Sequence, residues 1–208
     1  RIPVVIEGRA AFNGSVSGRF NALAIHGRLG LENFDTVTSP LQVLEATAVP
    51  PLQAKQVQRI HWDSLVGDLS YSPSNIALKN GVLHRGKANA TFSTSAALRQ
   101  GRVDENTSAI SLALHLQDAP VEELEPLLGL NYPVTGILST DLNVSGTPAN
   151  PRGRGSVQIA KMIAYGEPFK IFRSQVQIAT NTIQLSDIFL AHNGASLTGR
   201  FSHNFAAD

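Results

Sequence analysis

The chain has 208 residues, enough for one large domain or two repeating units. Hydrophobic residues make up 42% and charged residues only 16%, so a sizeable core can form. The 17 Lys and Arg against 16 Asp and Glu leave a formal charge of +1, which excludes a strong electrostatic footprint for nucleic acid or for an anionic membrane surface. There is no cysteine, hence no disulfide framework and no thiolate metal site. The sequence opens on Arg1 with its one methionine internal at Met162, and it reads as a piece of a longer protein whose signal or anchor is expected to lie elsewhere. No apolar run approaches the roughly 18 residues of a membrane span.

In chain order, residues 34–60 contain Ser39-Pro40 and Pro50-Pro51 and alternate weakly, which predicts a long loop or insertion. Ser72-Pro73-Ser74-Asn75 predicts a turn, and Lys79-Asn80-Gly81 a hairpin, because Asn-Gly tolerates positive φ at both central residues. Ile110, Leu112, Leu114 and Leu116 alternate with Ser111, Ala113, His115 and Gln117. Successive side chains of a strand point to opposite faces, so this run predicts a strand with one apolar and one wet face. Such one-sided strands belong to antiparallel sheets.

Asp118 to Gly129 predicts a short helix near 119–128, with Asp118 as cap and Pro120 in the first turn. Its early Glu122, Glu123 and Glu125 complement the helix dipole, and Leu124, Leu127 and Leu128 form its apolar stripe. Alternation resumes at Leu138, Leu142 and Val144, breaks at the turn cluster 146–151, and continues through Val157 and Ile159, Val176 and Ile178, and Ile183 and Leu185. His192-Asn193-Gly194 predicts a second hairpin.

The chain also resembles itself. The run at 76–92 matches that at 183–199 in pattern, an offset of 107 that sets Ile76 on Ile183 and Leu83 on Leu190. Farther upstream Val16-Ser17-Gly18 matches Val144-Ser145-Gly146, and Gly27 matches Gly155, at an offset of 128. One unit present twice, with a 21-residue difference inside 34–60, accounts for both offsets. The predicted organisation is a first β-repeat unit over 1–117 with its insertion at about 34–60, then a short helix and a second unit over 118–208.

No catalytic constellation emerges, and an enzyme is not expected. The six histidines lack the spacing of metal ligands, and neither a metal nor a cofactor is expected. Asp187, His192 and Ser196 can be drawn as a triad only by nearness in sequence, which is a poor guide to triad geometry. Gly153-Arg154-Gly155 lacks the strand-then-helix context of a phosphate loop, and Arg152 and Arg154 are expected to flank a turn. What remains is the apolar stripe, and two readings of it stand side by side: a dry core between two sheets, or a groove lined for acyl chains.

The runs at 136–169 and 183–201 resemble the AsmA-like and TamB-like envelope proteins of Gram-negative bacteria. The resemblance rests on a β-run ending in Val-Ser-Gly-Thr, then Asn-Pro, then Gly and a further β-run. Residues 14–34 look like a degenerate copy, and 116–130 are similar to the short helix before a new module. The resemblance implies a mainly β fold, an elongated, curved antiparallel sheet (a β-groove or taco) built from repeated units. It further implies a periplasmic location in a parent anchored to the inner membrane, and a groove that conducts phospholipid or supports outer-membrane assembly. Phospholipid acyl chains are then the expected partners, with outer-membrane assembly proteins met through regions outside this segment. The expected groove-lining residues are Leu112, Leu114, Leu138, Leu142, Val144, Val157, Ile159, Val176, Ile178, Ile183 and Leu185. The alternative is a structural or adhesive β-repeat module with a dry core.

Overall fold

The computed structural model describes residues 5–19, 22–38, 58–124 and 132–204. These build eleven strands and one short helix: β1 (Val5–Arg19), β2 (Ala22–Thr38), β3 (Gln58–Ser72), β4 (Asn75–Arg85), β5 (Ala88–Ala97), β6 (Ile110–Pro120), α1 (Val121–Leu124), β7 (Val134–Thr147), β8 (Asn150–Ala164), β9 (Glu167–Ala179), β10 (Thr182–His192) and β11 (Ala195–Asn204). All eleven strands form one open antiparallel sheet in sequence order. The two proposed units therefore share a sheet without a break, and the mainly β expectation holds. Ten inter-strand gaps of about 4.8 Å make the plate roughly 48 Å wide, comparable with the length of its strands at about 3.3 Å per residue.

The repeat proves to be a repeat of backbone conformation. At an offset of 128, β1 and β2 fall on β7 and β8; at 107, β3, β4 and β5 fall on β9, β10 and β11. The register breaks at equivalent places: between Glu7 and Arg9 and again between Thr135 and Ile137, between Leu78 and Gly81 and again between Leu185 and Ile188. Left-handed residues also coincide, Asn33 with Lys161 and Asn80 with Asp187. Gly8 (φ 153°) and Gly136 (φ 147°) sit opposite the Asn33 and Lys161 bulges, and a Cβ on either would strike a neighbour at 2.6 Å or 2.7 Å. Asp118 is the equivalent left-handed residue of β6, so all five even-numbered strands carry a bulge.

These bulges correct three sequence expectations. Asn80-Gly81 lies inside β4 and makes no hairpin; Asn80 takes the positive φ of a bulge while the strand runs on. Asn193-Gly194 does turn the chain, joining β10 to β11 through the pair His192 and Ala195. The expected loop at 34–60 is too broad, since Phe34–Thr38 and Gln58–Ile60 are paired strand. The bulge at Asn33 moves the apolar positions from odd to even numbers, and Phe34 (3% exposed) and Ile60 (8%) are among the most buried side chains. Residues 39–57 lie outside the described residues. The short helix exists but begins at Val121, because Asp118 is the bulge and Pro120 closes β6; residues 125–131 lie outside the described residues.

Packing is mostly within the sheet. The buried apolar side chains are Leu31, Phe34, Ile60, Ala77, Ala88, Ala90, Ala119 and Met162. Phe34 stacks on Trp62 at 6.5 Å, and the Arg85 guanidinium lies 5.8 Å from the Trp62 ring centre. Arg85 also donates to the Glu123 carbonyl at 2.7 Å, which ties α1 to the end of β4. The long β5–β6 connection is closed locally, where the Asp104 carboxylate accepts from the Asn106 and Thr107 amides and the Thr107 hydroxyl. Those three bonds, the Thr107 hydroxyl first, hold the Asp104 carboxyl below its ordinary range.

Candidate functional site: the two sheet faces

Residues directly opposite one another in an antiparallel ladder project from the same face. One row therefore runs Leu112, Val144, Gly153, Ile178, Ile183 across β6 to β10. The next runs Leu114, Leu142, Gly155, Val176, Leu185. Val157 stands in a third row beside Thr140, and Leu138 pairs with Ile159 in a fourth. All eleven residues expected to line a groove thus share one face. The same face continues into the first half through Thr94, Leu78 and Leu69, and through Ala90, Leu83, Leu65 and Leu31.

Their environment is uniform. All eleven are half-buried, shielded by neighbours within the sheet, and none reaches full burial. Gly153 and Gly155 keep β8 low between taller aliphatic rows on β7 and β9; a Cβ on Gly155 would come 2.0 Å from the Asp141 carbonyl oxygen.

The opposite face is largely polar. It carries Arg28, Asp68, Asn80, His115, Asp141, Arg152 and Arg154. Arg28 bonds Asp68 at 3.1 Å, and Asn80 donates to the other Asp68 oxygen at 2.8 Å. The Asn80 bond first, and the Arg28 bond and charge after it, hold the Asp68 carboxyl below its ordinary range. His115 Nδ1 contacts Asp141, and Ser95 and Ser111 hydroxyls meet at 2.7 Å across β5 and β6.

Concavities lie along the sheet, and polar-face residues make up most of their lining. One of about 1290 Å³ spans β4 to β10 and is walled by Lys79, Arg152 and Arg154 together with four of the expected groove residues, Leu112, Val144, Val176 and Ile178. Two smaller hollows, of about 940 and 510 Å³, are also floored mainly by polar-face side chains. Alternation alone places residues on a face, so sequence reasoning missed the polar part of this lining.

The doubtful sequence candidates resolve by geometry. Arg152 and Arg154 lie within β8 on the polar face, just after the β7–β8 turn. Asp187 is the bulge residue of β10, while His192 stands at that strand's far end with Nδ1 bonded to the Pro168 carbonyl, and Ser196 pairs with Ala191. Five residues of strand, about 16 Å, separate Asp187 from His192, so they form no triad. Among the described residues no group of three or more His, Asp or Glu could hold a metal, and no helix is long and apolar enough to cross a membrane. Comparison with protein-family models, with curated proteins and with solved structures finds no match to this chain.

Proposed function

We propose that the chain is a segment of an envelope-spanning protein whose apolar sheet face conducts phospholipid, or supports outer-membrane assembly, in the manner of the AsmA-like and TamB-like proteins it resembles. The observation that carries the reading is the shared, half-exposed apolar face, continuous across both units with no second sheet over it among the described residues. Acyl chains are apolar along their whole length and would be solvated by the Leu, Val and Ile rows, each buried methylene gaining about 0.8 kcal/mol. Headgroups would stay in water, and the process needs no catalytic residue. The parent would work in the periplasm, held to the inner membrane by a segment outside these residues.

Photo-crosslinkers placed at Leu142 and at Ile178 test this, with Asn143 and Gln177 on the opposite face as controls. Phospholipid adducts are expected from the first two and not from the controls. Equal capture on both faces, or none, overturns the proposal.

One observation favours a second reading. Polar side chains such as Lys79, Arg152 and Arg154 wall the large hollow beside Leu112, Val144, Val176 and Ile178, so it is not a purely apolar trough. That arrangement suits a structural module whose apolar face becomes the dry side of a packed assembly. Native mass spectrometry separates the two: co-purified phospholipid supports conduction, and a lipid-free, self-associated chain supports the structural module.

A further inference from the structure

Among the described residues β11 is the last strand of the sheet, and the internal repeat says what belongs beside it. β11 stands to the second unit as β5 stands to the first. β5 is covered on its outer side by β6, with Leu116 opposite Ala90, Leu112 opposite Thr94 and Ser111 opposite Ser95. Three β5 residues recur unchanged at the offset of 107, Ala88 as Ala195, Thr91 as Thr198 and Ser95 as Ser202. What differs is exposure. Ala90 is 8% exposed under β6, whereas its counterpart Leu197 is 59% exposed and Phe201 is 53% exposed.

The opposite edge agrees. β1 corresponds to β7, whose Val144 and Ser145 face Leu112 and Ser111 of β6; β1 keeps Val16 and Ser17 at those places. Both edges thus carry the surface that β6 fits. Strand direction narrows the choice of partner. Strands alternate in direction across the sheet, so β1 and β11, first and last of eleven, run the same way. Another copy laid edge to edge in the same orientation would meet in parallel, with a slanted hydrogen-bond pattern, whereas a β6-type strand restores the antiparallel ladder. From Ala195 to Ser202 β11 contains no proline and no lysine, the residues that commonly blunt a free edge.

We propose that the edge of β11 over Ala195–Ser202 is an acceptor site for one antiparallel strand of the β6 type, supplied by another unit of this repeat. The register is assigned by the first unit. The partner's counterparts of Leu116 and Leu112 lie opposite Leu197 and Phe201 on the apolar face, and its counterpart of Ser111 lies opposite Ser202 on the polar face. This assignment does not depend on whether the apolar face holds lipid.

The chain has no native cysteine, so single thiols report pairing cleanly. The full chain carrying Ser202→Cys is mixed, in a thiol-exchange buffer, with a synthetic peptide of residues 109–119 carrying Ser111→Cys. Companion peptides carry the thiol at Ala113 or at His115 instead. Paired residues of an antiparallel ladder lie within disulfide reach, so the in-register peptide should give about tenfold more adduct than either companion. The unmodified peptide should slow amide exchange along β11. Equal adducts from the three peptides overturn the register. Adducts no more abundant than those from a mid-sheet Ser93→Cys chain overturn the site. A dominant chain-to-chain disulfide overturns the partner, since the edge then pairs with its own copy. Leu197→Cys with a Leu116→Cys peptide repeats the test should the first variant fold poorly.

Discussion

The two units share a backbone and differ in how deeply it is covered. Phe34 and Met162 occupy equivalent places and are both buried, at 3% and 8% exposure. The cluster around them is also repeated in kind: Phe34, Trp62 and Arg85 in the first unit become Met162, Phe169 and His192 in the second. His192 tilts onto Phe169 at 5.2 Å, much as Arg85 lies over Trp62. Yet Ala88 and Ala90 are buried in the first unit, and their counterparts Ala195 and Leu197 are exposed. The difference follows position. β6 and α1 close the outer side of the first unit, and no described strand does so for the second. Register and bulges are therefore set inside each unit, whereas burial is conferred by the next strand along.

Substitutions can break that comparison, the severest first. Phe34→Ala should lower stability by about 4 kcal/mol and Met162→Ala by about 2 kcal/mol, as loss of a well-packed large side chain does. Urea unfolding with equal slopes would verify the order, and equal losses would contradict the deeper burial of the first unit. Gly136→Val should cost about 3 kcal/mol, combining a disfavoured φ with a clash against Ile159, while Gly8→Val at the sheet edge should cost less because β1 can give way. Lys161→Gly should stabilise by about 0.5–1 kcal/mol and Asn80→Gly by less, since Asn already tolerates the left-handed conformation.

The smallest effect is electrostatic. The Asp68 carboxyl, with its pKa depressed in the folded chain, contributes stability above its unfolded pKa of about 3.9 and loses that contribution as pH falls through the lower folded value. Gln175 and Ser156 replace Asp68 and Arg28 in the second unit. Amide exchange on β2 to β4 should therefore accelerate below about pH 4 more than on β8 to β10, and Asp68→Asn should abolish the contrast.

The sequence told much about faces and little about bends. Period-two alternation placed Leu112, Leu142 and Val176 on one face, because nothing else explains aliphatic residues at every second position. The matched glycines disclosed the repeat, and the structure shows why. Gly18 and Gly146 hold positive φ at equivalent points, and so do Gly8 and Gly136, a pair the sequence comparison did not match. The bulges stayed hidden, because Asn33, Lys161 and Asp187 look like ordinary polar residues of a strand. Each shifts the alternation by one, and a shifted phase reads as no phase; hence Phe34–Thr38 was expected in a loop. The aromatic cluster was equally hidden, since Phe34, Trp62 and Arg85 meet only after three strands have paired.

The bulges have a consequence for size. On β3 neighbouring bulges fall opposite Asp63 and Gly67, and on β9 opposite Lys170 and Ser174, a small and equal step in both units. Each bulge bends its strand, so the set forms a crease running across the strands. Further units would prolong the crease without deepening it. Cross-section would then be governed by one residue per strand pair and reach by the number of pairs, so the molecule could grow longer without growing wider.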